Sequence, residues 1–583
     1  DTEATFEVSI PFGEGEDVEI AAGEEDETKA EILEARMTEQ PERDLDVIVA
    51  EGSEEKKAVD PTTGETLDVV YVDLSAENEE PVDQPDVIVL TGSNSNVTPD
   101  SYSKISTTSV EVSSQERQVS GLILKKGQKL VSANGSITIA SSSDLTRTTT
   151  FSPDVEQATI NLPYIEGDYS LITLEGNNTV SGINIGEKQV RDAEVSVSAP
   201  SYSVTAIEVA GTAENVKINN NQINNVNTAI DIAESTEYKE VSLTQANDVD
   251  IAAEPSTTDA KNIKINNNQI NNVETAIDIP AGAVNVTYND NIFNNVNFGV
   301  KDIAGGKAVV GKETALTKAL NESIFSTINV LDGTYDLISP ITVFRDAVTL
   351  TGNTSNPANV ILNAPSTHDN DVFQVVADDV TIECFKIQGS KDQSDRNNGG
   401  TNSGIVIGGD SYMLGEKPAG ATGFDFNEDG NVDWSGIGVS GTTIRNNIIT
   451  DNSYGIFVFH SQDITIESNE IHANTYEGET VGTWSGKGIE LYTQPAMTMS
   501  SKVHSGSALP ATSNVNIYGN NIHDNDSFGI ELNYSEPYNL NDATKPGPFE
   551  ANVVIDSNEI INNGSIDNYP WGDETYNLYR GIT

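Results

Sequence analysis

From residue 119 onward, apolar and polar side chains alternate in short bursts, and most bursts end in an Asn-rich corner. A period of two marks a β-strand, and bursts this brief cannot bury a face alone. The bursts repeat. Asn215-Val-Lys-Ile-Asn-Asn-Asn-Gln-Ile-Asn-Asn-Val226 returns at Asn262–Val273, offset by 47, and more loosely at Asn285–Val296, a further 23. A unit of about 23 residues would put two turns of a coil between the first pair. A second series runs through Thr443–Ile448, Thr465–Ile471, Asn516–Ile522 and Val554–Ile560. Three short strands per unit can coil so that each pairs in parallel with its equivalent about 4.8 Å away, stacking Ile and Val inside. Ile223 and Ile270 occupy matching places and are both expected to point inward. Asn suits the corners because it tolerates left-handed backbone and its amide can bond along a ladder of like residues. A leucine-rich repeat would need a Leu framework that is missing. An all-helical solenoid fails on β-branched, Asn-rich units.

The pattern therefore predicts a parallel β-helix. Over roughly residues 119–583 the chain resembles the right-handed parallel β-helix, or pectin-lyase-like, superfamily. Val119–Leu130, Ile160–Pro163 and Leu171–Ile183 are similar to the opening rungs of large bacterial surface β-helix proteins. A second opening follows at Glu313–Glu322, an amphipathic helix of the kind that caps a coil in that superfamily, then Ile328–Tyr335, Val348–Gly352 and Val380–Ile387. The expected organisation is an all-β chain with two consecutive β-helical modules, 119–306 and 307–583. Before them come a small acidic α+β domain, 1–100, and a Ser/Thr-rich linker, 101–118. In the acidic domain, Phe6–Ile10, Leu45–Ala50, Leu67–Leu74 and Asp86–Thr91 read as strands and Glu25–Glu39 as a helix. The chain starts at Asp1 without an export signal and ends within a repeat, which points to a longer parent chain.

Charge narrows the function. Against 31 Lys and Arg stand 91 Asp and Glu, a net charge of -60, and 30 of those acids fall in the first 100 residues beside five bases. A polyanion would be repelled, so nucleic acid is excluded as a partner. The single cysteine, Cys384, excludes a disulfide framework and a cysteine-built zinc site. Its place in the alternating run Val380–Ile387 makes it a buried small hydrophobe. No stretch approaches the roughly 20 apolar residues of a membrane-spanning helix.

Candidate chemistry is sparse. The resemblance implies acidic-polysaccharide lyases, hydrolases or epimerases, yet neither the pectate-lyase nor the polygalacturonase motif series is present, and fold alone does not give the reaction. The equivalent strands Gly455–Phe459, Gly488–Tyr492 and Gly529–Asn533 direct Phe457, Glu490 and Glu531 outward. Adjacent rungs would then bring Glu490 and Glu531 to roughly 5 Å, near the carboxylate spacing of a retaining glycosidase, with Tyr492 and Trp484 as a sugar-stacking surface. The five histidines, His368, His460, His472, His504 and His523, have no metal-binding spacing; His472 and His523 fall beside equivalent corners as exposed polar groups. Within an insertion at about 410–436, Asp425, Asn427, Asp429, Asn431 and Asp433 match positions 1, 3, 5, 7 and 9 of a calcium loop, with Gly430 at the turn. Position 12 is Gly436, so the loop departs from the EF-hand pattern there.

The expected function is thus a non-enzymatic extracellular structural protein, an S-layer subunit or adhesin-like stalk on the cell surface. It would be stabilised by calcium and would assemble with copies of itself into a lattice or filament. The alternative is a β-helix that processes or binds cell-surface polysaccharide, with Glu490 and Glu531 as the catalytic pair.

Overall fold

The computed structural model describes residues 58–61, 63–75, 85–93, 122–161, 168–186, 203–235, 259–365, 371–391, 402–408, 439–459, 461–475, 486–493, 512–534 and 552–564. Within them the alternating bursts are short parallel strands stacked rung upon rung. One sheet of 14 strands runs from Leu122–Leu124 to Val553–Asp556. Sheets of seven and five strands complete the coil in the first half, and sheets of seven and six strands complete it in the second. β-branched residues recur at the inward positions because they fit a pleated surface whose neighbours lie directly above and below. Ile172, Ile207, Ile230, Ile277 and Val300 form one such row. Leu350, Ile382, Ile444, Ile466, Ile517 and Ile555 form another. These rows fill two cores that meet near residues 298–310.

Ile223 and Ile270 are fully buried register partners on neighbouring rungs. The offset of 47 therefore spans one turn, not the two expected. Strand Thr228–Ile232 pairs directly with Thr275–Ile279, so the additional residues belong to a connection leaving a single rung. The N-terminal reading is also revised. Val69–Asp73 and Val87–Thr91, expected in a separate acidic domain, pair in parallel with each other, and the second pairs with Lys129–Val131, extending a sheet of the coil. The other elements expected in residues 1–57 and the linker 101–118 lie outside the described residues.

Asparagine does two jobs. At the corners Asn215, Asn262 and Asn285 have φ of 57, 57 and 56°, the left-handed region that Asn tolerates. Inside the turns, other asparagines are buried and form hydrogen-bonded columns. Asn447 Nδ2 donates to Asn469 Oδ1 at 3.1 Å, Asn469 to Asn520 at 3.0 Å and Asn520 to Asn558 at 2.9 Å. Asn452, Asn474, Asn525 and Asn563 repeat the arrangement alongside. Each buried Oδ1 also accepts a backbone N–H, as Asn469 does from Asn447 at 3.0 Å, so turn amides that would lack partners are satisfied. Cys384 is buried, but at a corner with φ 65° between strands Thr381–Glu383 and Lys386–Gln388 rather than within a strand.

Helix Glu313–Asn321 lies where the amphipathic spacing predicts it, burying Ala315, Leu316, Ala319 and Leu320 in the second core. The long sheet crosses this joint through Lys307–Val310, antiparallel to Phe298–Asp302 and parallel to Thr327–Val330.

The recurrent Gly-Ile pair has a steric cause. Gly404, Gly455, Gly488 and Gly529 stack at the start of successive strands. A Cβ on Gly455 would lie 2.4 Å from the carbonyl oxygen of Gly488 and 2.8 Å from Ile471. Gly455→Ala is expected to destabilise this part of the coil by about 1–3 kcal/mol through overpacking. Hydrogen exchange at residues 454–459 measures it, and unchanged protection would refute the close approach.

Candidate functional site

Among the described residues, the six-stranded sheet of the second half gathers a lysine and two glutamates on its outward side. Alternation turns Ile456, Val458, Ile489 and Leu491 into the core and leaves three outward columns. Val406, Phe457, Glu490 and Glu531 are register partners on four successive rungs; Tyr454 partners Lys487, and Phe459 partners Tyr492. The sequence reading thus brings the two glutamates to adjacent rungs, where the structure also has them. It missed Lys487. The Lys487 ammonium is 2.8 Å from Glu490 Oε2, also ion-pairs with Glu531, and sits 5.4 Å from the centre of the Tyr454 ring.

These outward side chains are buried, where the sequence reading expects a pair of carboxylates facing a sugar. The side chains of Lys487, Glu490 and Glu531 are 1, 2 and 14% exposed. Beside them Phe457, Phe459 and Tyr492 stack with ring centres 5.5–6.3 Å apart, and Tyr454 meets Phe457 edge-on. They form a satellite apolar cluster with Val406. Of the expected stacking pair, Trp484 lies outside the described residues, and Tyr492 is half-buried with its ring stacked against Phe457 and Phe459.

The electrostatics follow from the burial. Desolvation pushes the Lys487 ammonium down, but Glu490, the Tyr454 phenol and Glu531 outweigh it and hold Lys487 above the ordinary lysine range. Burial pushes the Glu531 carboxyl up, with Glu490 adding to the rise and Lys487 opposing it. Chemically the arrangement is one ammonium clamped by two carboxylates. A signal was in the sequence: Lys487 immediately precedes the Gly488-Ile489 pair, in the place Tyr454 takes one rung earlier.

Two further columns mark the surface. His472 and His523, expected as exposed polar groups, are half-buried register partners whose rings stack at 5.0 Å and 3°. His523 Nδ1 lies 2.7 Å from Asp524, and Glu470 lies 3.7 Å from His523. Burial pushes His472 down, as does His523, while Glu470 opposes. On the long sheet Glu208, Asp231, Asp278 and Lys301 are register partners. Burial, then Asp278 and Glu208, push Asp231 up to about 6 from 3.8, and Lys301 opposes. Because its folded value is the higher one, the protonated form favours folding, and that contribution is lost as pH rises from about 4 through 6. Asp231→Asn is therefore expected to flatten the fall in stability across that window. Equal slopes for the two proteins in denaturation at pH 4 and 7 would refute this.

Residues Asp425, Asn427, Asp429, Asn431 and Asp433 lie outside the described residues, as do His368, His460 and His504. Among the described residues, no group of three or more His, Cys, Asp or Glu side chains is arranged to hold a metal ion. No described helix is long and apolar enough to cross a membrane.

Residues 396–575 match the family model of a right-handed β-helix region. The A-module of a mannuronan C-5 epimerase of Azotobacter vinelandii is similar at 10% identity, covering 82% of this chain and 88% of that one, with a TM-score of 0.17. No curated protein matches the sequence.

Proposed function

We propose that this chain, a right-handed parallel β-helix protein, is a non-enzymatic structural protein of the cell exterior, an S-layer subunit or adhesin-like stalk. The observation that supports this reading is the 14-stranded sheet that passes unbroken through both cores. At about 4.8 Å per strand it makes a rod about 60 Å long, in which each rung contacts only its neighbours. Such a rod suits a spacer. The acidic surface, with a net charge of -60, suits assembly bridged by divalent cations, and calcium at Asp425–Asp433 is the site proposed for control. Light scattering and electron microscopy test it: sheets or filaments should form with calcium and disperse in a chelator. Monomers under both conditions would overturn the assembly reading.

The buried carboxylate pair favours a second reading, polysaccharide processing or binding on the six-stranded sheet. Ionisable groups buried with shifted pKa values concentrate at functional sites. Against it, a shared lysine leaves neither glutamate as a free nucleophile or acid of the kind a retaining glycosidase uses. Reducing-sugar and unsaturated-product assays over acidic and neutral polysaccharides decide. No turnover is expected, whereas turnover abolished by Glu490→Gln would establish the enzyme.

A further inference from the structure

The seven-stranded sheet of the second half brings two histidines together on its outward side. Strands Ile448–Thr450, Glu470–His472, Asn521–His523 and Glu559–Ile561 pair in register, and each turns its middle isoleucine toward the core. The flanking residues therefore line up in two neighbouring outward columns. Ile448, Glu470, Asn521 and Glu559 form one, and Thr450, His472, His523 and Ile561 form the other. His472 and His523 stand 51 residues apart in the sequence and one rung apart in space, ring over ring at 5.0 Å. No local motif announces such a pair.

The outer nitrogens of both rings face one acid. Glu470 Oε1 is 3.7 Å from His523 Nε2 and 4.0 Å from His472 Nε2, beyond hydrogen-bond length in both cases. The inner nitrogens are engaged. His523 Nδ1 lies 2.7 Å from Asp524 Oδ2, and because an ionised carboxylate only accepts, Nδ1 carries the proton and the neutral ring keeps its lone pair on Nε2. His472 Nδ1 is 3.5 Å from the Thr450 hydroxyl, which takes either role, so His472 is free to adopt the same tautomer. An imidazole held through one nitrogen by an oxygen acceptor, with the other nitrogen bare, is the form in which histidine ligates a metal. A second observation lies beside the pair. Asn521 Oδ1, on the register partner of Glu470 and two residues before His523, is shielded from solvent and has no hydrogen-bond partner among the described residues. An orphaned buried oxygen calls for an ion or an ion-bound water to satisfy it.

We infer that His472 and His523 form a binding site for a divalent transition-metal ion of the zinc class, with the two Nε2 atoms and the Glu470 carboxylate as ligands. Imidazole nitrogens favour such an ion over calcium and magnesium, which take oxygen ligands. Before binding, the three donors stand wider apart than a coordinated set. An ion about 2 Å from each nitrogen requires the two Nε2 atoms to tilt together from the 5.0 Å ring spacing to about 3.3 Å, and Glu470 to swing in. The side chains of His472, His523 and Glu470 are 27, 20 and 46% exposed, which leaves them that freedom. Water completes the tetrahedron.

The test uses the untagged full chain, stripped with a chelator, and zinc chloride alone. Calorimetry should show one saturable zinc site that millimolar calcium does not displace, which separates it from the loop at Asp425–Asp433. X-ray absorption of the zinc-loaded protein should show two imidazole nitrogens on the metal. His472→Gln and His523→Gln should each weaken binding at least ten-fold with circular dichroism unchanged, while a chain with His368, His460 and His504 all changed to Gln should bind as wild type does. No saturable binding up to millimolar zinc, an all-oxygen shell, loss of binding in the triple variant, or wild-type affinity in His472→Gln and His523→Gln would each overturn the inference. If either single variant fails to fold, the absorption spectrum and the triple variant decide.

Discussion

Lys487→Met is expected to lower the stability of the second half of the coil by about 3–5 kcal/mol, because it leaves Glu490 and Glu531 buried without their shared counter-charge. The loss should be local. Hydrogen exchange at residues 454–459, 487–493 and 530–534 is the appropriate measure, since distant rungs contact only their own neighbours. Changing all three residues, Lys487→Met with Glu490→Leu and Glu531→Leu, should restore most of the stability, because a hydrophobic replacement removes the desolvation cost of the whole triad. The wild-type triad has its own pH dependence. The Glu531 carboxyl is raised, so its ionisation opposes folding and its contribution declines as pH rises from its unfolded value toward the higher folded one. If Lys487→Met changed exchange at these strands by less than a few-fold, the triad would not be a desolvated cluster.

Ile270→Ala should cost about 2–5 kcal/mol through the cavity it leaves beneath Ile223 and Phe293, its register partners on either side. The coil's one-dimensional construction turns that into a local defect: limited proteolysis should cut near residues 262–273 while the second half survives intact. Ile223→Ala should behave alike, opening the rung at 215–226. Resistance equal to wild type in both variants would mean that the buried column relaxes around the missing methyl groups.

What the sequence made legible was whatever repeats. The inward column at Ile223 and Ile270, the capping helix after Glu313 and the corner asparagines all follow from period and residue type, because a solenoid applies the same environment to each equivalent position. The turn count between Asn215 and Asn262 did not follow. Residues between two rungs that pair directly lengthen the offset without adding a rung, and at 47 residues it mimicked two periods. Glu490 and Glu531 were placed on adjacent rungs by the same periodicity, yet their burial was not readable. It depends on what covers the outward side, and the alternation rule concerns only the inward one. Lys487 was missed because a lysine at a strand start is ordinarily solvated. Here its partners come one from its own strand and one from the next rung.

The rung also fixes how the rod answers tension. Between Thr443 and Thr465 the chain stores 22 residues in a single step along the axis. Drawn out, 22 residues reach about 75 Å, whereas the rung occupies about 4.8 Å. Strand bonds and buried amide columns alike run along the axis, so a pull from one end loads them one rung at a time. A rung of that length releases about 70 Å of slack when it yields, before the next is strained. Stretched in this way, the protein is a reel that pays out line in steps set by the residues between rungs, 22 from Thr443 to Thr465 and 51 from Thr465 to Asn516, and it absorbs work step by step instead of snapping at a limit.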